Sequence, residues 1–346
     1  MKKTAPLFTI AIWFILGFGT QQALAQLSEK EFIDYLVLVK NSKGEVFQKI
    51  QGTTDIDQVK PILPNARFRI ASITKLFTAV IAMQLVDEGK LSLENSMSEF
   101  LDYPDIKYAD QITIRDLLQH TSGLQPENPV GYIKAFSPTE MIQRFATKKP
   151  NKPGEEHFYN NIDFLLLGQI LEEVTGMSFK ENLQTRILEP LEMEDSGLIT
   201  TFELPEKIVP DYRVKSGKRK KGFKIHCENF WAAGAMYSTA SDLLSFSEGI
   251  KAGKLLSKEA VKTIFTPDAS FGYAALGCWV FNIPYVKGKP AVMERRGEIV
   301  GSRSVLMTNL DGPETVIVLS NTDQFDQNTF GVQDNLKEYL FKRMFK

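Results

Sequence analysis

Strand patterns lie at both ends of the chain, and helical patterns fill the region between them. Residues 32–52 predict two strands joined by a turn at 41–44. Four further strand patterns follow after about Phe271, at 273–281, 291–299, 302–310 and 314–321. From about Leu91 to Phe246 the apolar spacing is mainly helical, and an amphipathic helix closes the chain at 335–345. This order predicts an α+β fold, an α/β sandwich. The antiparallel sheet is built from both chain ends and is flanked by helices. A mainly helical lobe is inserted in the sequence between those two ends.

Composition sets the scale of that fold. The chain has 346 residues, 43% hydrophobic and 24% charged, which is enough apolar surface for a large core. We expect one domain over 26–346, with the helical lobe at roughly 91–246. The net charge of −1 gives no general attraction to nucleic acid or anionic membranes, so no nucleic-acid partner is predicted.

The first 25 residues have the pattern of a secretory signal peptide. Lys2 and Lys3 precede an apolar run from about residue 5 to 19, and Ala23-Leu24-Ala25 predicts cleavage before Gln26. An uncleaved membrane anchor is the alternative, but the apolar run is short for a span. We therefore expect an exported protein, periplasmic or secreted, with no stable membrane span after cleavage.

Two other features leave alternatives open. Cys227 and Cys278 could form one disulfide in an oxidising compartment, or each could stay a buried thiol; Cys278 lies in a predicted strand. The basic stretch 213–224 lacks interleaved aromatic residues, and we expect a solvated loop there.

The stretch RIASITKLFTAVIAMQLVDEG, residues 69–89, predicts a helix that is apolar around most of its circumference. Ser72 and Lys75 are three residues apart at its start and so share one face. Partial burial and the positive end of the helix dipole both lower the pKa of a lysine there, so Lys75 could serve as a base for the serine hydroxyl. The Ser72 N–H could bind a developing oxyanion. The alternative is a serine N-cap beside a surface lysine.

Two further stretches carry candidate site residues. Tyr159 and Asn161 lie in a Pro-Gly-containing loop before an apolar helix; the phenol could act as a general base between cations, and the amide could bind a substrate carbonyl. Asn161 could equally be a helix cap. Arg295 and Arg296 end an apolar strand before Gly297, where glycine would let a substrate backbone approach the strand edge. An arginine there could grip a carboxylate, although surface arginines are the usual explanation.

These three stretches, in this order and spacing, resemble the serine β-lactamase and penicillin-binding-protein superfamily, specifically the class C β-lactamase-like serine hydrolases. The likeness runs from about Arg67 to Asn321. Four connecting segments are also similar to those of that family: GKLSLENSMSEFL, ITIRDLLQHTSGL, PGEEHFYNNIDFLLLGQILEEVTG and AAGAMYSTASDLLSF.

The resemblance implies a role for each candidate residue. Ser72 would be the acylated nucleophile, Lys75 its activating partner, Tyr159 the general base and Asn161 the asparagine of Y-x-N. Arg295-Arg296-Gly297 stands where the family carries K-T-G or H-x-G, so Arg295 and Gly297 would contact substrate. The N–H groups of Ser72 and Glu298 would form the oxyanion hole.

Arg295 departs from the family pattern, because lysine or histidine is expected at that position. A permanent guanidinium can lower the pKa of Tyr159 and bind a substrate carboxylate, but it cannot shuttle a proton. Carboxylate binding would favour a peptide or a β-lactam over a simple ester as the substrate. The substrate is therefore less determined than the acyl-enzyme chemistry.

The resulting hypothesis is an exported serine hydrolase that works through a Ser72 acyl-enzyme on a β-lactam, a D-Ala-D-Ala peptide or an ester. The rival is a penicillin-binding-like sensor or binding module that acylates without turnover. A Ser-His-Asp hydrolase is disfavoured because the sequence contains no G-x-S-x-G, and His120 is interpreted as structural. With three histidines and no H-E-x-x-H, we predict no metal and no cofactor, and a small-molecule or peptide substrate.

Overall fold

The computed structural model describes residues 34–345 except 58, 148–149, 206, 223, 285 and 330–335. The predicted signal peptide and the segment 26–33 lie outside the described residues. Within the described ranges, no helix is both long enough and apolar enough to cross a membrane.

The strands of the described residues include six that form one large sheet. In chain order the strands are β1 (Tyr35–Lys40), β2 (Val46–Gln51), β3 (Phe68–Arg69), β4 (Gly197–Leu198), β5 (Tyr212–Lys215), β6 (Lys218–Lys221), β7 (Met236–Ser238), β8 (Trp279–Asn282), β9 (Ala291–Ile299), β10 (Ser302–Asn309) and β11 (Thr315–Ser320). The large sheet has the order β2-β1-β11-β10-β9-β8, and all its neighbours are antiparallel. Small sheets are formed by β3-β7-β4 and by β5-β6.

The helices fill the middle of the chain and close its end. In chain order the α-helices of the described residues are α1 (Thr74–Asp87), α2 (Ile114–Gln119), α3 (Val130–Ile133), α4 (Pro138–Phe145), α5 (Ile162–Thr175), α6 (Phe179–Leu183), α7 (Trp231–Gly234), α8 (Ala240–Lys251), α9 (Lys258–Ile264) and α10 (Leu336–Met344). Short 3-10 turns cover 71–73, 97–99, 227–230 and 269–271, and a π-helical segment covers 184–188.

Both chain ends meet in the sheet, as the sequence predicts. Leu36 of β1 is paired on one side with Ile50 and on the other with Leu319 of β11. The α+β fold, with an antiparallel sheet from the two ends and an inserted, mainly helical region, is confirmed.

The sheet is covered by helices on both faces because alternate strand residues point to opposite sides. Leu36 and Leu319 pack in the large core that surrounds α1. Val37 and Val318 pack on the other face, with Phe341 of α10. The strands are therefore apolar on both faces, which gives the predicted sandwich.

Helix α1 runs through the centre of the larger core. Its residues from Thr74 to Met83 are buried, and the rings of Phe77 and Phe246 stack with centroids 3.7 Å apart. Protein surrounds the helix, which explains why the sequence is apolar around most of its circumference.

Two expectations need correction. The basic stretch is not a simple loop, because β5 and β6 form a hairpin whose turn residues Ser216 and Gly217 both have positive φ, 51° and 70°. Arg219 of this hairpin is mostly buried and donates hydrogen bonds to Thr53 and Asp55. Cys278 lies just before β8 instead of inside a strand.

Both cysteines are buried free thiols, so the disulfide alternative is not realised here. Cys227 packs in a small cluster with Ala71 and Ile299, where its Sγ accepts a hydrogen bond from Arg69. Cys278 belongs to the large core.

Candidate active site

Ser72 lies on a tight turn directly before α1. The 3-10 turn covers Ala71–Ile73, and Ala71 has a φ of 44°, which is unfavourable for a residue with a Cβ. The Thr74 hydroxyl donates to the Ala71 carbonyl oxygen over 2.6 Å. This conformation leaves Ser72 half-buried, with its hydroxyl within reach of the side chains described next.

Lys75 is wholly buried, and its Nζ connects three elements. It donates to Asn161 Oδ1 over 2.6 Å, to the Ala233 carbonyl oxygen over 2.8 Å and to Ser72 Oγ over 3.3 Å. Burial lowers the pKa of Lys75, and the charge of Arg295 lowers it further, whereas Tyr159 opposes this change. The serine and the lysine thus share one face of the helix start, and the lysine is not at the surface.

Tyr159 lies on the other side of the serine hydroxyl. Its phenol OH is 2.7 Å from Ser72 Oγ and accepts a hydrogen bond from Arg295 Nη2 over 3.1 Å. Burial alone would raise the pKa of Tyr159, but the positive charges of Lys75 and Arg295 and the hydrogen bonds from its neighbours lower it to about 8. At that pKa, roughly a tenth of the phenol is ionised at neutral pH.

Asn161 precedes α5, but its side chain does not cap the helix. The capping role belongs to Asn160, whose Oδ1 accepts from the Asp163 N–H over 2.8 Å. Asn161 instead accepts from Lys75 and donates through Nδ2 to Glu127 Oε1 over 2.6 Å. The helix-cap alternative is therefore not realised, and the Asn161 side chain lies between Lys75 and Glu127.

Glu127 and Tyr132 join the site, and the sequence argument did not identify them. Tyr132 OH donates to Glu127 Oε1 over 3.2 Å. Burial raises the pKa of Tyr132, and the neighbouring Glu127 charge raises it further, so this hydroxyl remains a donor. Neither residue lies in a recognisable motif, and only the folded contacts of Glu127 with Asn161 and Tyr132 reveal them.

Arg295 lies beneath the site on β9, and only 1% of its surface is exposed. Its guanidinium carbon is 5.4 Å from the ring centroid of Tyr159 and 5.0 Å from that of Trp279. The Nε group donates to the Ser72 carbonyl oxygen over 2.7 Å. Arg295 therefore holds both the phenol and the main chain of the serine, and the two rings define its position.

Gly297 and Glu298 follow along the same strand. A Cβ on Gly297 would overlap the Ile70 carbonyl oxygen and the Ser304 hydroxyl. Position 297 therefore requires glycine because the turn that begins after Ile70 packs against this strand. The sequence suggested a different reason, the close approach of a substrate backbone. The Glu298 side chain faces outward, where it pairs with Arg303 and accepts from Gln327.

His120 forms a buried network beside the site. Its Nδ1 is 3.0 Å from Asp163 Oδ2, and its ring centroid is 4.5 Å from that of Tyr159. Burial lowers the pKa of His120 well below its usual range, so the imidazole is neutral. Ser122 donates to Asp163 and not to the histidine, so the pattern is not that of a Ser-His-Asp triad.

The fold and the convergence of Ser72, Lys75 and Tyr159 at a buried helix start are those of serine hydrolases of the penicillin-binding and β-lactamase type. The family model described as Beta-lactamase matches residues 21–339. This chain belongs to that family, and the resemblance drawn from the sequence is confirmed.

Sequence relatives agree with this assignment, and a solved structure has the same fold. Penicillin-binding protein 4* of Bacillus subtilis (strain 168) is 24% identical over 334 residues, which are 88% of this chain and 71% of that protein. Teichoic acid D-alanine hydrolase of Staphylococcus aureus is 26% identical over 230 residues, 66% of this chain and 53% of that protein. The structure of D-amino acid amidase from Ochrobactrum anthropi SV3 gives a TM-score of 0.79 at 21% identity, covering 94% of this chain and 97% of that one.

Proposed function

We propose that this protein is an exported serine hydrolase that works through a covalent acyl-enzyme on Ser72. One observation carries the proposal: the Ser72 hydroxyl oxygen lies 2.7 Å from the Tyr159 OH and 3.3 Å from Lys75 Nζ. Both neighbours have a lowered pKa, that of Tyr159 being about 8, so each releases a proton more readily than the same side chain in water.

Acylation follows from this geometry. The Tyr159 phenolate takes the proton from Ser72 as the serine oxygen bonds to the substrate carbonyl carbon. The carbonyl oxygen becomes an oxyanion, which the N–H groups of Ser72 and Glu298 would bind. When the tetrahedral intermediate collapses, the bond to the leaving group breaks. The leaving group then takes the proton from Tyr159, with Lys75 supporting the transfer.

Deacylation repeats the same steps with water as the nucleophile. Water gives a proton to Tyr159 as its oxygen bonds to the acyl carbon, and the ester bond to Ser72 then breaks. The serine oxygen recovers the proton, and the carboxylic acid product leaves.

The substrate is proposed among a β-lactam, a D-Ala-D-Ala peptide and an ester. The name of one sequence relative, a teichoic acid D-alanine hydrolase, supports a D-alanine-containing substrate. Export to the periplasm or the cell exterior is supported by the predicted signal peptide and by the penicillin-binding relatives.

Arg295 is proposed to keep Tyr159 partly ionised and, from the sequence argument, to bind a substrate carboxylate. Arg295→Ala should raise the pKa of Tyr159 and slow acylation by every substrate, because a positive charge is lost beside the phenol. If Arg295 also binds carboxylate, kcat/KM for a carboxylate-bearing substrate should fall a further tenfold or so relative to a neutral ester. Equal losses on both would contradict carboxylate binding.

Intact-mass spectrometry tests the proposed function directly. The mature protein is incubated with a fluorescent penicillin and, separately, with a neutral activated ester, and sampled over time beside Ser72→Ala. We expect an adduct that forms and decays in the native protein and does not form in the variant. No adduct with either reagent would contradict the proposal.

The alternative is a sensor that acylates but does not turn over, and the altered third motif is the observation in its favour. Such a protein would give a Ser72 adduct that persists. The same time course therefore separates the two functions.

A further inference from the structure

We propose that Glu127 binds a positively charged ammonium group on the acyl part of the substrate, so that the favoured acyl donor is an aminoacyl ester or amide with a free amine. This inference rests on the proposed function and specifies the substrate class of the same site. It follows from the contacts of one carboxylate, its charge and the amide that joins it to Lys75.

Glu127 lies in the segment between α2 and α3, and its two carboxylate oxygens differ. Oε1 accepts hydrogen bonds from Asn161 Nδ2 over 2.6 Å and from Tyr132 OH over 3.2 Å. Oε2 is buried and has no hydrogen-bond partner among the residues that the structure describes. A buried carboxylate oxygen without a donor is costly, and an incoming donor would remove that cost.

The carboxylate is joined directly to the reacting groups. Lys75 Nζ donates to Asn161 Oδ1 over 2.6 Å, and the same amide donates to Glu127. The negative charge of Glu127 lies close enough to raise the pKa of Lys75, although burial lowers that pKa by more. We place the acyl part of a substrate on Ser72 beside this carboxylate, because Lys75 Nζ contacts both Ser72 Oγ and Asn161 Oδ1.

The charge of Glu127 selects between acyl groups. One of the two N–H groups of the Asn161 amide is already given to the carboxylate, so a substrate carbonyl oxygen at this position would lie beside a carboxylate oxygen. A carbonyl oxygen beside a carboxylate is repelled, whereas an ammonium is attracted and supplies N–H donors. N-acylated substrates, such as a penicillin or an N-acylated peptide, are thus disfavoured relative to free amines.

A purely positioning role for Glu127 would act differently. If the carboxylate only orients Asn161, its loss should slow every acyl donor to the same extent. The ratio of the kcat/KM values for two substrates that differ only in the amine separates that role from recognition of charge.

The experiment compares the para-nitrophenyl esters of D-alanine and of N-acetyl-D-alanine, with background hydrolysis taken from Ser72→Ala. The native protein should favour the free amine, and Glu127→Gln should reduce the ratio of the two kcat/KM values by about 10- to 100-fold. Glutamine keeps an oxygen that can accept from Asn161. Glu155→Gln, at an exposed position in the loop that carries Tyr159, is the matched control and should leave the ratio unchanged.

Para-nitrophenyl acetate carries neither a free amine nor an N-acetyl group, so its hydrolysis reports folding and acylation in every variant. A native preference for the N-acetyl ester, or an unchanged ratio in Glu127→Gln, would overturn the proposal. Equal loss on both esters would assign Glu127 to positioning and would also overturn it. If acetate hydrolysis itself did not depend on Ser72, the proposed function would fail instead, which is a distinct result.

Discussion

Replacing Tyr159 with phenylalanine should lower kcat/KM for an activated ester by about a thousandfold, within the range for loss of a general base. The ring remains, so its packing against Arg295 and His120 is kept, and only the hydroxyl that contacts Ser72 is lost. In the native protein, kcat/KM should rise with pH to half of its maximum near pH 8 and level off about one pH unit higher, because the phenolate is the proposed active form and the pKa of Tyr159 is about 8. The variant should lose this dependence.

The measurement is kcat/KM across pH with one neutral ester. Tyr103→Phe is a matched control, because that hydroxyl bonds Gln169 in the helical lobe and does not contact the site. Its activity and pH profile should match the native protein. A Tyr159→Phe variant that kept the rise near pH 8 would show that another group is the base.

Replacing Lys75 with methionine should have opposite effects on activity and stability. We expect kcat/KM to fall by about a thousandfold, because the positive charge and the donor to Ser72 are both removed. The free energy of unfolding should rise by about 1–2 kcal/mol near neutral pH, since a buried ammonium is replaced by an apolar chain of similar length.

The stabilisation by Lys75→Met should decrease as pH rises. Burial lowers the pKa of Lys75 in the folded protein, so the charged amine destabilises the fold fully at pH values below that lowered pKa. The cost disappears as pH rises toward the unfolded value of about 10.4, and the advantage of Lys75→Met should shrink in the same interval.

Denaturant unfolding at neutral and alkaline pH measures this effect. Lys251→Met is the control, because burial also lowers the pKa of Lys251, whereas its ammonium donates to Thr308, Asn309 and Gly312 instead of to Ser72 and should be dispensable for catalysis. A Lys75→Met variant less stable than the native protein would show that the lost hydrogen bonds outweigh the removed charge.

Features that depend on local periodicity could be predicted from the sequence. The strands at both ends alternate or are apolar throughout, and α1 is apolar on nearly every side because it is surrounded by protein. The presence of Ser72 and Lys75 on one face needs only the helical repeat. For these reasons the sheet, the inserted lobe and the serine-lysine pair could be predicted from the sequence alone.

Features that depend on contacts between distant segments could not be predicted. Glu127 meets Asn161 across 34 positions of sequence, and Trp279 covers Arg295 only because β8 pairs with β9. The short strands β4 and β7 contain two and three residues, too few for a period to be recognised. The β5–β6 hairpin had a local signal, Ser216-Gly217 between two short runs, but its lysines concealed the strand pattern.

The pairing of β1 with β11 has a consequence for the order of events during synthesis and folding. Residues 35–40 obtain their central partner only when residues 315–320 are present, and the turn that carries Ser72 rests on β9, which is also synthesised late. Contacts this distant in sequence form slowly and require nearly the whole chain. A nascent polypeptide that still lacks its last strands would therefore carry Ser72 without the surface that orients it. Reactivity would arise as a late step of folding, after nearly the whole chain has been synthesised.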